Sequence, residues 1–87
     1  MSLKFVSYDL RKPGKDYNGL YRCLASLGAK RIVESTYCFH SSKSTADLRD
    51  EIKGCMDSND ALIVSQVDGW ASSHVENTPK DLPQYAH

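Results

Sequence analysis

The run Leu3-Lys4-Phe5-Val6-Ser7-Tyr8 is rich in apolar and aromatic residues. It predicts a strand over 3–10, stopped by Pro13-Gly14. A helical pattern follows. Tyr17, Leu20, Tyr21, Leu24 and Leu27 recur at three-and-four spacing, the mark of one helical face. Asp16 stands where an N-cap belongs, and Gly28 suits the left-handed residue that commonly ends a helix. Ile32-Val33 and Tyr37-Cys38-Phe39 are two strand centres separated by Glu34-Ser35-Thr36, forming either a tight hairpin or one bent strand. Ser44 and Asp47 then resemble a capping box with Asp in place of Glu. The helix they open places Leu48, Ile52, Cys55 and Met56 on one face, and Gly54 weakens its last turn. Asp57-Ser58-Asn59-Asp60 is turn chemistry, and Ala61-Leu62-Ile63-Val64 begins a last strand reaching about Val67.

The order strand, helix, strand, strand, helix, strand leaves both helices needing one sheet to cover their apolar stripes. Right-handed crossovers put them on the same face. The expected fold is α+β: a ferredoxin-like βαββαβ sandwich, with a four-stranded antiparallel sheet and two helices on one side. In that topology the first strand is central, between the third and fourth. Asp9 then shares a sheet edge with Asp60 and with the start of the third strand at Thr36-Tyr37.

The uncovered sheet face invites a partner. Composition shifts after Trp70, where Ser72-Ser73-His74, Asn77-Thr78-Pro79 and Leu82-Pro83 preclude a helix of useful length. The chain therefore divides into a ferredoxin-like domain, 1–70, and an extended C-terminal tail, 71–87. The tail is either disordered or an arm that needs a surface to lie on, such as a dimer partner.

Composition bounds the rest. The 87 residues suffice for one small domain, often marginally stable alone, so oligomerisation is a natural expectation. No apolar run approaches the ~18 residues of a membrane span, and Lys4 and Asp9 interrupt the N-terminal apolar stretch where a secretory signal would lie. Cys23, Cys38 and Cys55 are scattered, without metal or disulfide spacing, which suggests buried, reduced thiols in a cytoplasmic protein. Formal charge balances, but unevenly along the chain. Residues 1–33 carry seven Lys and Arg against two acids, and residues 34–87 carry four against nine. Such asymmetry permits a basic face on a neutral protein.

The chemistry concentrates at Tyr8-Asp9-Leu10-Arg11-Lys12-Pro13-Gly14-Lys15. A carboxylate at a strand tip, Asp9, is a candidate magnesium ligand and catalytic group. Magnesium takes oxygen ligands and is held through one or two carboxylates plus substrate phosphate. A second carboxylate would come from Asp60 or from Asp9 of another subunit. Arg11, Lys12 and Lys15 are candidate phosphate contacts for RNA or DNA. The structural alternatives are a strand-end Asp that organises its own turn, a turn residue at Asp60, and ordinary solvated loop cations. Tyr8 and Tyr37 suit base stacking or cross-strand packing. His40, His74 and His87 lack metal spacing, and Gly14 and Gly19 match no phosphate-binding fingerprint.

The Tyr8-Asp9 strand end, the element order and the size resemble the small CRISPR adaptation protein superfamily (CRISPR-associated protein two). Tyr8-Asp9-Leu10…Pro13-Gly14…Tyr17…Leu20-Tyr21…Leu24, then Glu34-Ser35-Thr36 and Ser58-Asn59-Asp60, are closest to its uncharacterised SinR-like branch. The resemblance covers about residues 3–70. It implies a homodimer packed through its sheets, with Asp9 of each subunit facing its mate and sharing a divalent metal. It also implies either a magnesium-dependent endonuclease on RNA or DNA, in antiviral defence or toxin-like roles, or a non-catalytic interaction module with a protein partner. The low overall basicity and the polar tail depart from that pattern.

Overall fold

The fold is described from a computed structural model covering residues 1–11 and 16–82. Its elements run β1 (Ser2–Asp9), α1 (Asn18–Ser26), β2 (Lys30–Val33), β3 (Thr36–Ser41), α2 (Thr45–Lys53) and β4 (Ala61–Gln66), followed by a 3-10 turn at Pro79–Asp81. The sheet order is β2-β3-β1-β4, and every neighbouring pair is antiparallel. This is the βαββαβ ferredoxin-like arrangement that the element order predicts, with β1 in the interior. The segment between Ile32 and Phe39 is a hairpin turning at Glu34-Ser35, with an irregular register between Arg31 and Val33.

The helix ends follow local chemistry. The Asp16 carboxylate accepts the Asn18 backbone N–H at 2.8 Å, so it caps from one residue before the formal N-cap, Tyr17. Gly28 has φ of 73°, and the Gly28 and Ala29 amides bond back to Ala25 and Leu24. That Schellman closure requires the left-handed residue that glycine supplies without a Cβ clash. Ser44 accepts the Asp47 N–H at 3.1 Å, as its position before α2 predicts.

One apolar cluster fills the space between helices and sheet: Val6, Leu20, Leu24, Phe39, Leu48, Ile52 and Met56. Each such side chain, fully buried, contributes about 1.5–3 kcal/mol of transfer free energy. Tyr21, on the expected apolar stripe of α1, is instead 44% exposed. Lys4 is the larger surprise. It is only 2% exposed, with its ammonium donating to Gln66 Oε1 at 2.7 Å. An odd–even alternation that puts Val6 inward carries Lys4 inward with it.

The second sheet face is partly covered by the chain itself. Leu82, 1% exposed, packs with Ile32 and Cys38, and Leu3, Phe5 and Val75 flank them. The Glu76 N–H donates to Ile32 O at 2.8 Å, and the Asn77 side-chain amide donates to Arg31 O at 2.8 Å. The tail thus runs along the outer edge of β2, satisfying backbone acceptors that an open edge would leave to another chain. Thr78 and Asp81 form a reciprocal capping box with Pro79 inside it, which folds the tail onto the sheet. The opposite edge strand, β4, keeps Ile63 66% exposed. Among the described residues, no helix is long and apolar enough to cross a membrane.

Candidate functional site at the Asp9 edge

Asp9 is the last residue of β1 and lies opposite Ala61, the first residue of β4. The antiparallel register therefore brings the Asp9 strand end beside Asp60, as the topology predicts. The two carboxylates have different surroundings. The Asp9 side chain is 70% exposed, and its Oδ2 accepts from Arg11 Nε at 3.2 Å. With both partners so exposed, this ion pair contributes at most about 1 kcal/mol.

Asp60 is 3% exposed and already committed. Its Oδ1 accepts the Arg11 backbone N–H at 2.7 Å and the Tyr17 hydroxyl at 3.0 Å, and its Oδ2 accepts the Asp57 N–H at 2.9 Å. Its carbonyl oxygen accepts from the Lys53 ammonium. One buried carboxylate thus ties together the segment leaving β1, the entry to α1 and the turn before β4. A buried carboxylate demands such a set of donors.

The aromatic pair at this edge is packed. The Tyr8 and Tyr37 rings stack at 6.1 Å between centroids, with 27° between planes, and both flank the main core. Burial, reinforced by the neighbouring Tyr37, holds the Tyr8 hydroxyl protonated well above the usual tyrosine range. On the opposite sheet face, the Ser7 and Thr36 hydroxyls bond at 2.8 Å. Ser7, Tyr8, Asp9, Ala61, Leu62 and Ile63 line a shallow depression of about 270 Å³.

Of the expected phosphate contacts, Arg11 stands at this edge with its guanidinium on Asp9, whereas Lys12 and Lys15 lie outside the described residues. Lys30-Arg31 is elsewhere, at the edge held by the tail. There Arg31 makes a two-pronged ion pair with Glu76, at 3.1 and 3.0 Å. Among the described residues, there is no group of three His, Cys, Asp or Glu side chains that could hold a metal ion. At this edge Asp9 is the exposed carboxylate, and the Asp60 carboxylate is buried among the Arg11, Tyr17 and Asp57 donors.

Sequence reasoning left the tail between disorder and an arm on a surface, and did not find that the chain's own sheet supplies one. A signal was present: Thr78-Pro79-Lys80-Asp81 is a capping box with proline at its first helical position. The two residue pairs that fix the tail, Arg31–Glu76 and Asn77 with the Arg31 carbonyl, are far apart in sequence and carried no local signal. No protein-family model matches the chain.

Proposed function

We propose that this chain is a nucleic-acid-associated homodimeric domain in which the Asp9 corner is half of a site completed by a second copy. The observation that carries this reading is that Asp9 and Ile63 share one face of the β1–β4 pair, Asp9 opposite Ala61 and Ile63 opposite Ser7. Both stand on the sheet face away from the helices, one as an exposed carboxylate and the other as a large apolar side chain 66% exposed. Exposed apolar surface rimmed by polar groups favours a protein partner. A two-fold contact there is self-complementary, so it would bring Asp9 towards Asp9. Arg11 of both copies would then flank the joint, and Arg11, Lys12 and Lys15 are the proposed phosphate contacts.

Magnesium-dependent phosphodiester cleavage is the finer form of this proposal. A divalent ion would act there as a Lewis acid on the phosphoryl group. Asp9 is the exposed carboxylate at this edge, and a second would come from Asp9 of the other copy, which ties the activity to the dimer. The test combines light scattering with cleavage assays on single-stranded RNA and DNA, with and without magnesium. The expected result is a dimer whose metal-stimulated cleavage disappears in Asp9→Ala, with the dimer retained. A monomer at all concentrations, or undiminished cleavage by Asp9→Ala, overturns it.

The Arg11 guanidinium on Asp9, and the full use of Asp60 in folding, favour a second reading: a non-catalytic interaction or regulatory module on the same dimeric scaffold. It predicts nucleic-acid or protein binding that is indifferent to magnesium and to Asp9→Asn.

A further inference from the structure

Arg31 is exposed on the edge strand β2, yet its guanidinium is occupied. Nε and Nη2 donate to the two carboxylate oxygens of Glu76 at 3.1 and 3.0 Å. The same fork of N–H donors receives two oxygens of a phosphate. Glu76 therefore fills, with a carboxylate, a position that suits a phosphodiester. The pair joins the basic first part of the chain to its acidic second part. The tail thus neutralises a cation that the charge asymmetry would leave open.

The docking of the tail does not depend on this carboxylate. Its hold on the sheet comes from other groups. The Glu76 backbone N–H donates to Ile32 O at 2.8 Å, the Asn77 side-chain amide donates to Arg31 O at 2.8 Å, and Leu82 is buried against Ile32 and Cys38. The Arg31 and Glu76 side chains are instead open to water, 44% and 54% exposed. An ion pair this exposed is weak and screened by salt. An anion can replace the carboxylate while the tail stays in place.

We propose that Arg31 is a phosphate-binding residue for single-stranded RNA or DNA, and that the Glu76 carboxylate masks it. The proposal rests on the nucleic-acid reading of this chain and adds to it a contact on the β2 edge, with its own autoinhibitory group. Binding exchanges one ion pair for another. The Glu76 carboxylate turns into water, and Arg31 Nε and Nη2 donate to two phosphate oxygens. No covalent bond is made or broken. The contact reads charge and not base identity. In the wild type the strand must displace Glu76. Glu76→Gln leaves a neutral group that competes poorly for the guanidinium.

The full chain and its variants are titrated against fluorescein-labelled single-stranded oligonucleotides, RNA and DNA, by anisotropy over a series of salt concentrations. Glu76→Gln is expected to bind about threefold tighter than the wild type, the scale set by an exposed ion pair. Its plot of log affinity against log salt steepens by about 0.7, one further phosphate contact on a single strand. Arg31→Gln in the Glu76→Gln background returns both quantities to the wild-type values. Protection of Cys38 from a thiol reagent, mapped by peptide mass spectrometry, stays at the wild-type level in both variants, because the tail remains docked. Wild-type binding that Glu76→Gln does not tighten, or a gain that survives Arg31→Gln, overturns the proposal and leaves the nucleic-acid reading standing. A gain accompanied by loss of Cys38 protection also overturns it, since the tail and not the carboxylate would then be the mask. Absence of binding by every variant at low salt overturns both.

Discussion

The Asp60 carboxylate holds the Arg11 backbone amide at 2.7 Å, tying the chain that leaves β1 to the residue just before β4. Tyr17 donates to the same oxygen, so the clamp also sets where α1 begins. Asp60→Ala leaves three donors without their acceptor inside the fold. The expected cost is about 3 kcal/mol in urea unfolding, since buried groups deprived of a charged partner lose more than a neutral hydrogen bond. Tyr17→Phe, which removes only one of those bonds, costs about 1 kcal/mol. Equal stability of Asp60→Ala and wild type would show that the clamp does not hold the loop.

The Arg31–Glu76 pair gives tail docking a pH dependence. The hydrogen bond from Arg31 draws the Glu76 carboxyl below its ordinary value of 4.5. A carboxyl depressed in the folded state stabilises that state above its unfolded value, and the contribution disappears as pH falls through the folded value. Tail protection is therefore full above 4.5 and declines in acid below it. Hydrogen exchange at the Glu76 amide reads this directly, and Glu76→Gln removes the acid-dependent component.

Leu82 seals Ile32 and Cys38 under the tail. Leu82→Ala is expected to cost about 2 kcal/mol through the cavity it leaves. It should also raise the rate at which a thiol reagent modifies Cys38. Unchanged Cys38 labelling would mean that other residues shield it.

Lys4 is a buried ammonium whose side chain donates to Gln66. Replacing a buried charge by an apolar side chain of similar length is often neutral or stabilising. Lys4→Met is expected to keep or raise the unfolding midpoint. Gln66→Leu, which removes the ammonium's acceptor, should lower the unfolding free energy by roughly 1.5–3 kcal/mol.

Ile63 tests the proposed dimer without touching the core. Ile63→Lys puts a charge at the centre of the exposed corner and should shift the protein to monomer in light scattering. Monomer stability should change by less than about 0.5 kcal/mol, as for most surface substitutions.

Local signals in the sequence determined the element order, the sheet topology and the position of Asp9 beside Asp60. They are the apolar and aromatic run of β1, three-and-four spacing in Leu20 and Leu24, Gly28 at a helix end, and Ser44 before α2. Right-handed crossovers then leave one compact arrangement. Burial and long-range pairing were not legible. Asp60 looked like a turn acid that could turn towards a metal. Only the tertiary structure brought Arg11, Tyr17 and Asp57 donors to it and assigned it to the fold. The tail read as either disordered or an arm in need of a surface, and the surface was not legible, because the acceptors that fix it belong to Arg31 and Ile32, more than forty residues earlier. Sequence reports which groups a chain carries; which of them lose water, and against what, depends on contacts that close only when the sheet forms.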